Sequence, residues 1–498
     1  MRSPRGVVAL SGSGDLGQRL AAPAAICVVG LAASVGAGMA RADPLPLAWG
    51  LFAAALVSAA IGLLQYSRLG GSLAPWMAAS DHGQAFGNLR QRNQFATLIS
   101  MGLIAALWLH AKSDGARLRL ALKAAGVLLV LALAASGSRT GFFQLLLIVV
   151  AVGVLLRRRT ATTVDHHSKG FRWPLALPAL MAAYGLALWA LPRATSGSPL
   201  RMLHRLRDIA SDSRTALWSN VLDQIEQHPW RGWGWGELSF AHFDTLYADA
   251  RFPGVLDNAH NLPLHLAVEL GVPAALLLCG FFGWLVWRGK PWAERDLNRL
   301  AVWGLLGAIL VHSMVEYPLW FGPFQMVFGL CLGFLWPREA SAGHAGAQAP
   351  APRRAASAAV AALMLCALGF TAWDYTRVSQ IYLDPARRLP GFQQDTLAQA
   401  EESALFANHA RFAQLTLTPL TNANAREIHA LALHLLHFSP EPRVISKVIE
   451  SAETLGLDDE AAAHTLRFQR AFPAEFKRWS ARKPPAPAKL PVATERAD

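Results

Sequence analysis

The stretch NQFATLISMGLIAALWLHAKSDGARLRLALKAAGVLLVLALAASG, residues 93–137, decides the fold. Two apolar blocks, 93–111 and 121–137, flank a connection that carries Lys112, Arg117, Arg119 and Lys123. Each block approaches the roughly 20 apolar residues that a helix needs to cross the hydrocarbon core of a bilayer. Lys and Arg beside such spans are retained on the cytoplasmic side, so this connection marks the cytoplasmic face.

Outward from this pair, apolar segments recur near 47–65, 140–156, 174–191, 263–287, 299–316, 320–336 and 355–373, with a weaker one at 21–40. Hydropathy thus predicts about ten spans. The basic clusters keep step: Arg157, Arg158, Arg159, Lys169 and Arg172 fall in one connection, Arg288, Lys290, Arg295 and Arg299 in another, and Arg338, Arg353 and Arg354 in a third. With these loops cytoplasmic, residues 66–92, 136–140, 192–262, 317–319 and everything after about 373 face the periplasm by elimination. Counting back puts residues 1–20 outside, although Arg2, Arg5 and Arg19 favour the inside.

Composition agrees, since 53% of the 498 residues are hydrophobic and 16% charged, more apolar surface than one soluble core needs. The fold class expected is all-α, a polytopic transmembrane bundle. Much of the net charge of +13 sits in the cytoplasmic loops, which points to topology and anionic lipid headgroups, with no nucleic-acid partner. Cys27, Cys279, Cys331 and Cys366 lie inside apolar blocks without paired spacing, so neither a disulfide framework nor a zinc site is indicated.

The organisation read from these patterns is an N-terminal segment 1–20, a membrane domain 21–373 containing the long loop 192–262, a helical domain 374–483 and a disordered tail 484–498. Segment 337–354, rich in Ala, Gly and Pro, is a linker. The runs 395–417, 423–438 and 442–470 have spaced apolar positions, as in helices stacked in pairs. That is a tetratricopeptide-like arrangement, though without a clean 34-residue period. Pro484, Pro485, Pro487 and Pro491 keep the tail unstructured.

Four motifs carry polar groups to the outer ends of spans. GSRTG at 137–141 puts Arg139 at an external turn, costly unless solvated, paired or bound to an anion. SDSRTALW at 211–218 puts Arg214 ahead of an amphipathic helix, and its loop holds Arg193, Arg201, Arg205, Arg207, Arg214, Arg231 and Arg251 without a Lys. Arginine grips phosphate through a planar fork where lysine is a point charge. The competing expectation is pairing with Asp208, Asp212, Asp223 and Glu226. HPWRGWGWGELSF at 228–240 offers glycines for tight turns and tryptophans for interfacial anchoring or sugar stacking.

DNAHNLPLHLAVELG at 257–271 sets His260 and Asn261 at a helix start, with His265 and Glu269 following at helical spacing. A histidine near pKa ~6.5 can take a proton from a hydroxyl. No HExxH is present, so no metal is expected, and Glu269 reads as satisfying a buried partner. GNLRQRNQ at 87–94 adds Asn88, Arg90, Gln91, Asn93 and Gln94, and HSMVEYPLWF at 312–321 adds His312, Glu316 and Tyr317. His429, His434 and His437 read as ordinary surface or satisfied histidines.

In succession, GNLRQRNQFATL at 87–98, SGSRTGFFQ at 136–144, SRTALWSNVLDQIEQHPWRGWGWGE at 213–237, HNLPLHLAVELGVPAALLL at 260–278, HSMVEYPLW at 312–320, YTRVSQIYL at 375–383 and ALFANHARFAQLTL at 404–417 resemble the O-antigen ligase superfamily. The likeness is to its O-linked protein oligosaccharyltransferase branch, which glycosylates proteins such as pilins. It covers about residues 60–420. Such proteins carry several more helices before the GNLRQ region, so the chain is expected to be shortened there. The resemblance implies an undecaprenyl-diphosphate-linked glycan as donor, a Ser or Thr hydroxyl of a pilin or other periplasmic protein as acceptor, and no cofactor. It assigns Arg139 and Arg214 to the donor diphosphate and His260 to the general base or acceptor-orienting role. Gln91, Gln94, Tyr317, Asn261 and Glu269 would support the site. Alternatives are ligation of O-antigen to lipid A-core, glycan polymerisation, and transport of the lipid-linked glycan.

Overall fold

A computed structural model of the chain describes residues 14–41, 43–69, 84–162, 173–194, 211–336 and 351–482, with a few positions between 70 and 83. Arg2, Arg5, Lys169, Arg172, Arg201, Arg205, Arg207, Asp208, Arg338 and the tail from 484 lie outside the described residues. Among those described, the chain is entirely helical, with no strand. It divides into two compact units. One takes the described residues of Arg19–Gly232 and Asn258–Ala351, the other those of Met1–Gln18, Trp233–Asp257 and Pro352–Asp498.

The first unit is an apolar helical bundle. Its helices are α1 (Leu16–Met39), α2 (Leu45–Tyr66), α3 (Arg92–Lys112), α4 (Ala116–Ser136), α5 (Arg139–Thr162), α6 (Trp173–Ala194) and α7 (Ser211–Gln227); after α8 (Leu238–Asp244) of the other unit come α9 (Leu262–Leu270), α10 (Val272–Gly289), α11 (Leu297–Ser313) and α12 (Gly322–Leu335). Among the described residues, six helices are long and apolar enough to cross a membrane: Leu16–Met39, Leu45–Tyr66, Arg92–Lys112, Ala116–Ser136, Val272–Ala293 and Ala358–Tyr382. Four shorter apolar helices, Arg139–Leu155, Leu180–Leu191, Leu297–Ser313 and Gly322–Leu335, accompany them. The chain is a multi-pass membrane protein.

Helix α3 is the axis of the bundle, packed against α2, α4, α5 and α11. Phe95 and Ile99 from α3, Leu129 and Leu133 from α4, and Leu305 and Ile309 from α11 form one core and are almost fully buried. A helix apolar on every side belongs in such a position. The exceptions are at its N-terminal end, where Asn93, Gln94, Thr97 and Ser100 are also buried, and buried polar groups require partners.

One expected span is corrected. Segment 263–287 is not a continuous helix but two, α9 and α10, separated at Gly271. Gly271 has φ +89°, and a Cβ there would lie 2.5 Å from the Trp230 carbonyl oxygen. The backbone of 229–232 fills that space, with Val272 N–H donating to the Pro229 carbonyl at 2.8 Å. At 1.5 Å per residue, nine-residue α9 is about 14 Å long, too short to cross.

In the second unit, α13 (Ala351–Ser379) leads to α14 (Thr396–Glu401), α15 (Ala407–Leu417), α16 (Ala425–Phe438), α17 (Pro442–Thr454), α18 (Asp458–Ala471) and α19 (Pro473–Ser480). The runs 395–417 and 442–470 each hold two helices. The second break falls at Gly456, whose φ is +72°. In α17, Val444, Ile445, Val448, Ile449 and Ala452 recur at helical spacing and are fully buried. They meet Ile428 and Leu435 of α16, Phe468 of α18 and Phe243 of α8.

Candidate functional site

The site grows from helix ends in the first unit. Gly137, at φ +59°, ends α4, and its N–H returns to the Ala134 carbonyl at 3.1 Å. Ser138 then starts α5, its hydroxyl accepting from Gly141 N–H at 3.1 Å. In GSRTG, therefore, glycine stops one helix, serine caps the next and Arg139 is its first residue. Gln91 does the same for α3, its side-chain oxygen accepting from Gln94 N–H at 2.6 Å. The preceding GNL turn is fixed by Gln65 of α2, whose amide accepts from Gly87 N–H at 2.8 Å and donates to the Gly87 carbonyl at 3.0 Å.

His260 is the left-handed residue of its turn, at φ +51°. Its N–H donates to the Asn258 side-chain oxygen at 2.9 Å. The adjacent Ala259 carbonyl accepts from Trp218 Nε1–H of α7 at 3.1 Å. Asn261 caps α9 by accepting from Leu264 N–H at 3.0 Å and donates to the Met314 carbonyl at 3.0 Å. These bonds set the backbone that presents the imidazole.

The centre of the cluster is Glu316. Its Oε2 accepts from His260 Nδ1–H at 2.8 Å, and its Oε1 accepts from Arg214 Nη2 at 3.1 Å and from Asn93 Nδ2 at 2.9 Å. Asn93 in turn accepts from the Ser138 hydroxyl at 2.7 Å. An ionised carboxylate only accepts, so the His260 proton lies on Nδ1 and the Nε2 lone pair is left for a ligand. The His260 ring, 27% exposed, meets Tyr317 edge-on, with centroids 5.0 Å apart. Burial pushes the Glu316 carboxyl upward. The His260 hydrogen bond, with the charges of His260, Arg214 and His312, outweighs it and holds the group below the usual carboxylate range. Arg139 stands within electrostatic reach of Arg214 and Arg92.

A second buried network lies deeper. His312 Nδ1 and Thr97 Oγ1 are 2.9 Å apart, and Gln144 Nε2 donates to Thr97 Oγ1 and to the Ala308 carbonyl, each at 2.9 Å. Gln144 also borders a cavity of about 330 Å3 between α3, α5 and α11, otherwise lined by side chains such as Ile104, Leu107, Leu147, Leu155 and Val311.

Arg214, His260 and Tyr317 therefore come together, with Arg139 beside them. Gln91, Gln94 and Asn261 sit at the helix starts that frame the cluster, and Gln94 is buried. Glu269 forms a buried pair with His265, 3.5 Å away. Arg214 lies in the first turn of α7, not ahead of it, and among the described residues its carboxylate partner is Glu316. Ser138, Thr97 and Gln144 were not singled out as site residues by sequence, and Asn93 and Glu316 were noted only as polar residues at span ends. The available signal was HSMVE itself, since an acid one turn from a histidine beside an apolar span needs a cation close by.

Residues 85–110 match the protein glycosylation ligase family, 124–279 the O-antigen ligase family, and 300–486 the C-terminal family of virulence factor membrane-bound polymerases. The chain is 25% identical over 309 residues to a general O-oligosaccharyltransferase of Acinetobacter baylyi, covering 57% of this chain and 49% of that protein. It is 22% identical over 265 residues to a ComP-specific O-oligosaccharyltransferase of the same organism, covering 52% and 45%. The chain spans about half the length of these curated relatives. The segments that build the cluster, around Asn93, Ser138, Arg214, His260 and Glu316, fall within the ranges matched by these family models.

Proposed function

We propose that this protein is an O-linked oligosaccharyltransferase of the bacterial inner membrane, moving a glycan from undecaprenyl diphosphate to Ser or Thr of a pilin or another periplasmic protein. The observation that carries the reading is the meeting of Arg214 and His260 on Glu316, with Arg139 within electrostatic reach of Arg214. The guanidiniums suit a diphosphate, whose leaving charge they stabilise without a metal. The apolar cavity between α3, α5 and α11 is suited to the isoprenoid chain of such a donor.

In the transfer, the acceptor O–H gives its proton to His260 Nε2 while the oxygen attacks the anomeric carbon. The new C–O bond forms as the bond from that carbon to the diphosphate oxygen breaks, and the electron pair leaves with the diphosphate held by Arg139 and Arg214. Tyr317 packs on the imidazole, and Gln91, Gln94 and Asn261 hold the helix starts. Periplasmic orientation follows from the Lys and Arg distribution of the loops.

The test is purified protein with undecaprenyl-diphosphate-linked glycan and a pilin acceptor, read by intact-protein mass. A glycan-sized increase is expected, and His260→Ala should lose at least about 100-fold in rate while remaining in the membrane. An unshifted acceptor mass with active donor rejects the reading. The match of 300–486 to the membrane-bound polymerase family favours a second reading, glycan polymerisation. It predicts longer lipid-linked chains in the same reaction without protein acceptor.

A further inference from the structure

Glu316 serves two masters through different oxygens. Oε1 receives Arg214 at 3.1 Å and Asn93 at 2.9 Å, while Oε2 receives only His260 at 2.8 Å among the hydrogen bonds described. The carboxylate side chain is 10% exposed and that of Arg214 29%, so an incoming anion reaches the guanidinium more readily than the acid. Arg139 stands within electrostatic reach of Arg214 and adds positive charge close by. A diphosphate brings negative charge to these two guanidiniums and competes with Glu316 for Arg214. If Arg214 turns away, Oε1 keeps its Asn93 hydrogen bond, so the buried carboxylate is not stranded.

We infer that Glu316 is a positioning residue shared in the free protein between Arg214 and His260, and that a polyprenyl diphosphate draws Arg214 away and leaves the carboxylate to His260. Donor capture thereby readies the base. The inference rests on the transferase reading above. With Arg214 still on Oε1, the carboxylate is partly neutralised and stabilises imidazolium weakly. Released from it, Glu316 stabilises the imidazolium formed when the acceptor proton arrives on Nε2. The order of binding that follows is donor before acceptor.

The experiment uses the full chain in nanodiscs, with undecaprenyl diphosphate as the binding probe and lipid-linked glycan plus acceptor for kinetics. Glu316→Gln removes the charge at nearly constant shape. It should bind the probe as tightly as wild type or up to about tenfold more tightly, while kcat falls on the order of 100-fold or more. The acidic limb of its kcat/KM profile should move to lower pH, because loss of the carboxylate lowers the affinity of His260 for its proton. Arg214 from α7, Arg139 from α5, Arg92 from α3, His312 from α11, His265 from α9 and the neighbouring Tyr317 face the pair and are unchanged in this comparison.

Glu316→Asp should regain part of kcat and part of the limb, and it carries the test if the glutamine variant does not fold. Weaker probe binding in step with lost kcat, or an unmoved limb, marks a merely structural acid and overturns the inference while wild-type transfer stands. Failure of the wild type to bind the probe or to transfer glycan removes the underlying reading as well.

Discussion

Asn93 shows how much one uncharged side chain decides at this site. Its amide nitrogen donates to Glu316 Oε1 and its oxygen accepts from Ser138, so it ties α3 to both the α5 start and the Glu316 turn. Asn93→Asp would set a second carboxylate against the first at a separation near 2.9 Å. One of two such acids must hold a proton, and with Glu316 protonated the support for His260 is lost. Transfer should drop on the order of 100-fold at neutral pH, while Asn93→Gln, which keeps the amide, should keep more activity. Equal rates for the two variants would remove Asn93 from the Glu316 network. The cationic and basic groups were legible in the sequence because arginine and histidine near span ends announce themselves. Their common partner was not, because Glu316 lies 102 residues from Arg214 and 56 from His260, and only folding pairs them.

At the scale of helices, glycine sets how closely two backbones approach. Gly333 of α12 lies so near α1 that an added Cβ would fall inside the Ala33 carbonyl, and Gly329 faces Val29 in the same way. Small residues four apart are how apolar helices gain contact where no hydrophobic effect drives them together. Gly333→Val should push α1 from α12 and cost about 1–3 kcal/mol, seen as a lower melting temperature in detergent, whereas Gly307→Ala, where a Cβ meets nothing within 4 Å, should not. Matching melts for both variants would deny the close approach. Most helices here were visible as apolar blocks, and their ends as caps such as Gln91 and Asn261. The break at Gly271 was hidden, because 263–287 stays apolar throughout and what interrupts it is the backbone of Trp230, a tertiary neighbour.

For the molecule as a whole, the unit containing the C-terminal helices holds several histidines whose burial opposes protonation. His242, 1% exposed, is bonded to the Tyr247 hydroxyl at 2.8 Å and the Phe252 carbonyl at 3.0 Å. Burial, reinforced by the Arg251 charge and opposed by the Phe252 hydrogen bond, pushes it down to about 3. His409, His434 and His464 are lowered as well, each chiefly by burial. Such groups bind protons more readily unfolded than folded. The stability they contribute is complete above the unfolded value near 6.5 and is lost as pH falls toward the folded one. For His242 the loss should run from about pH 6.5 to about pH 3, at about 1.4 kcal/mol per pH unit. Hydrogen exchange of α16–α18 in the 498-residue chain should therefore speed up between pH 7 and pH 4 once the intrinsic exchange rate is corrected. His242→Phe should lower stability at pH 7, since the ring's two hydrogen bonds go, but reduce the pH slope by about one proton. A slope identical to wild type would show that His242 titrates alike in the folded and unfolded chain.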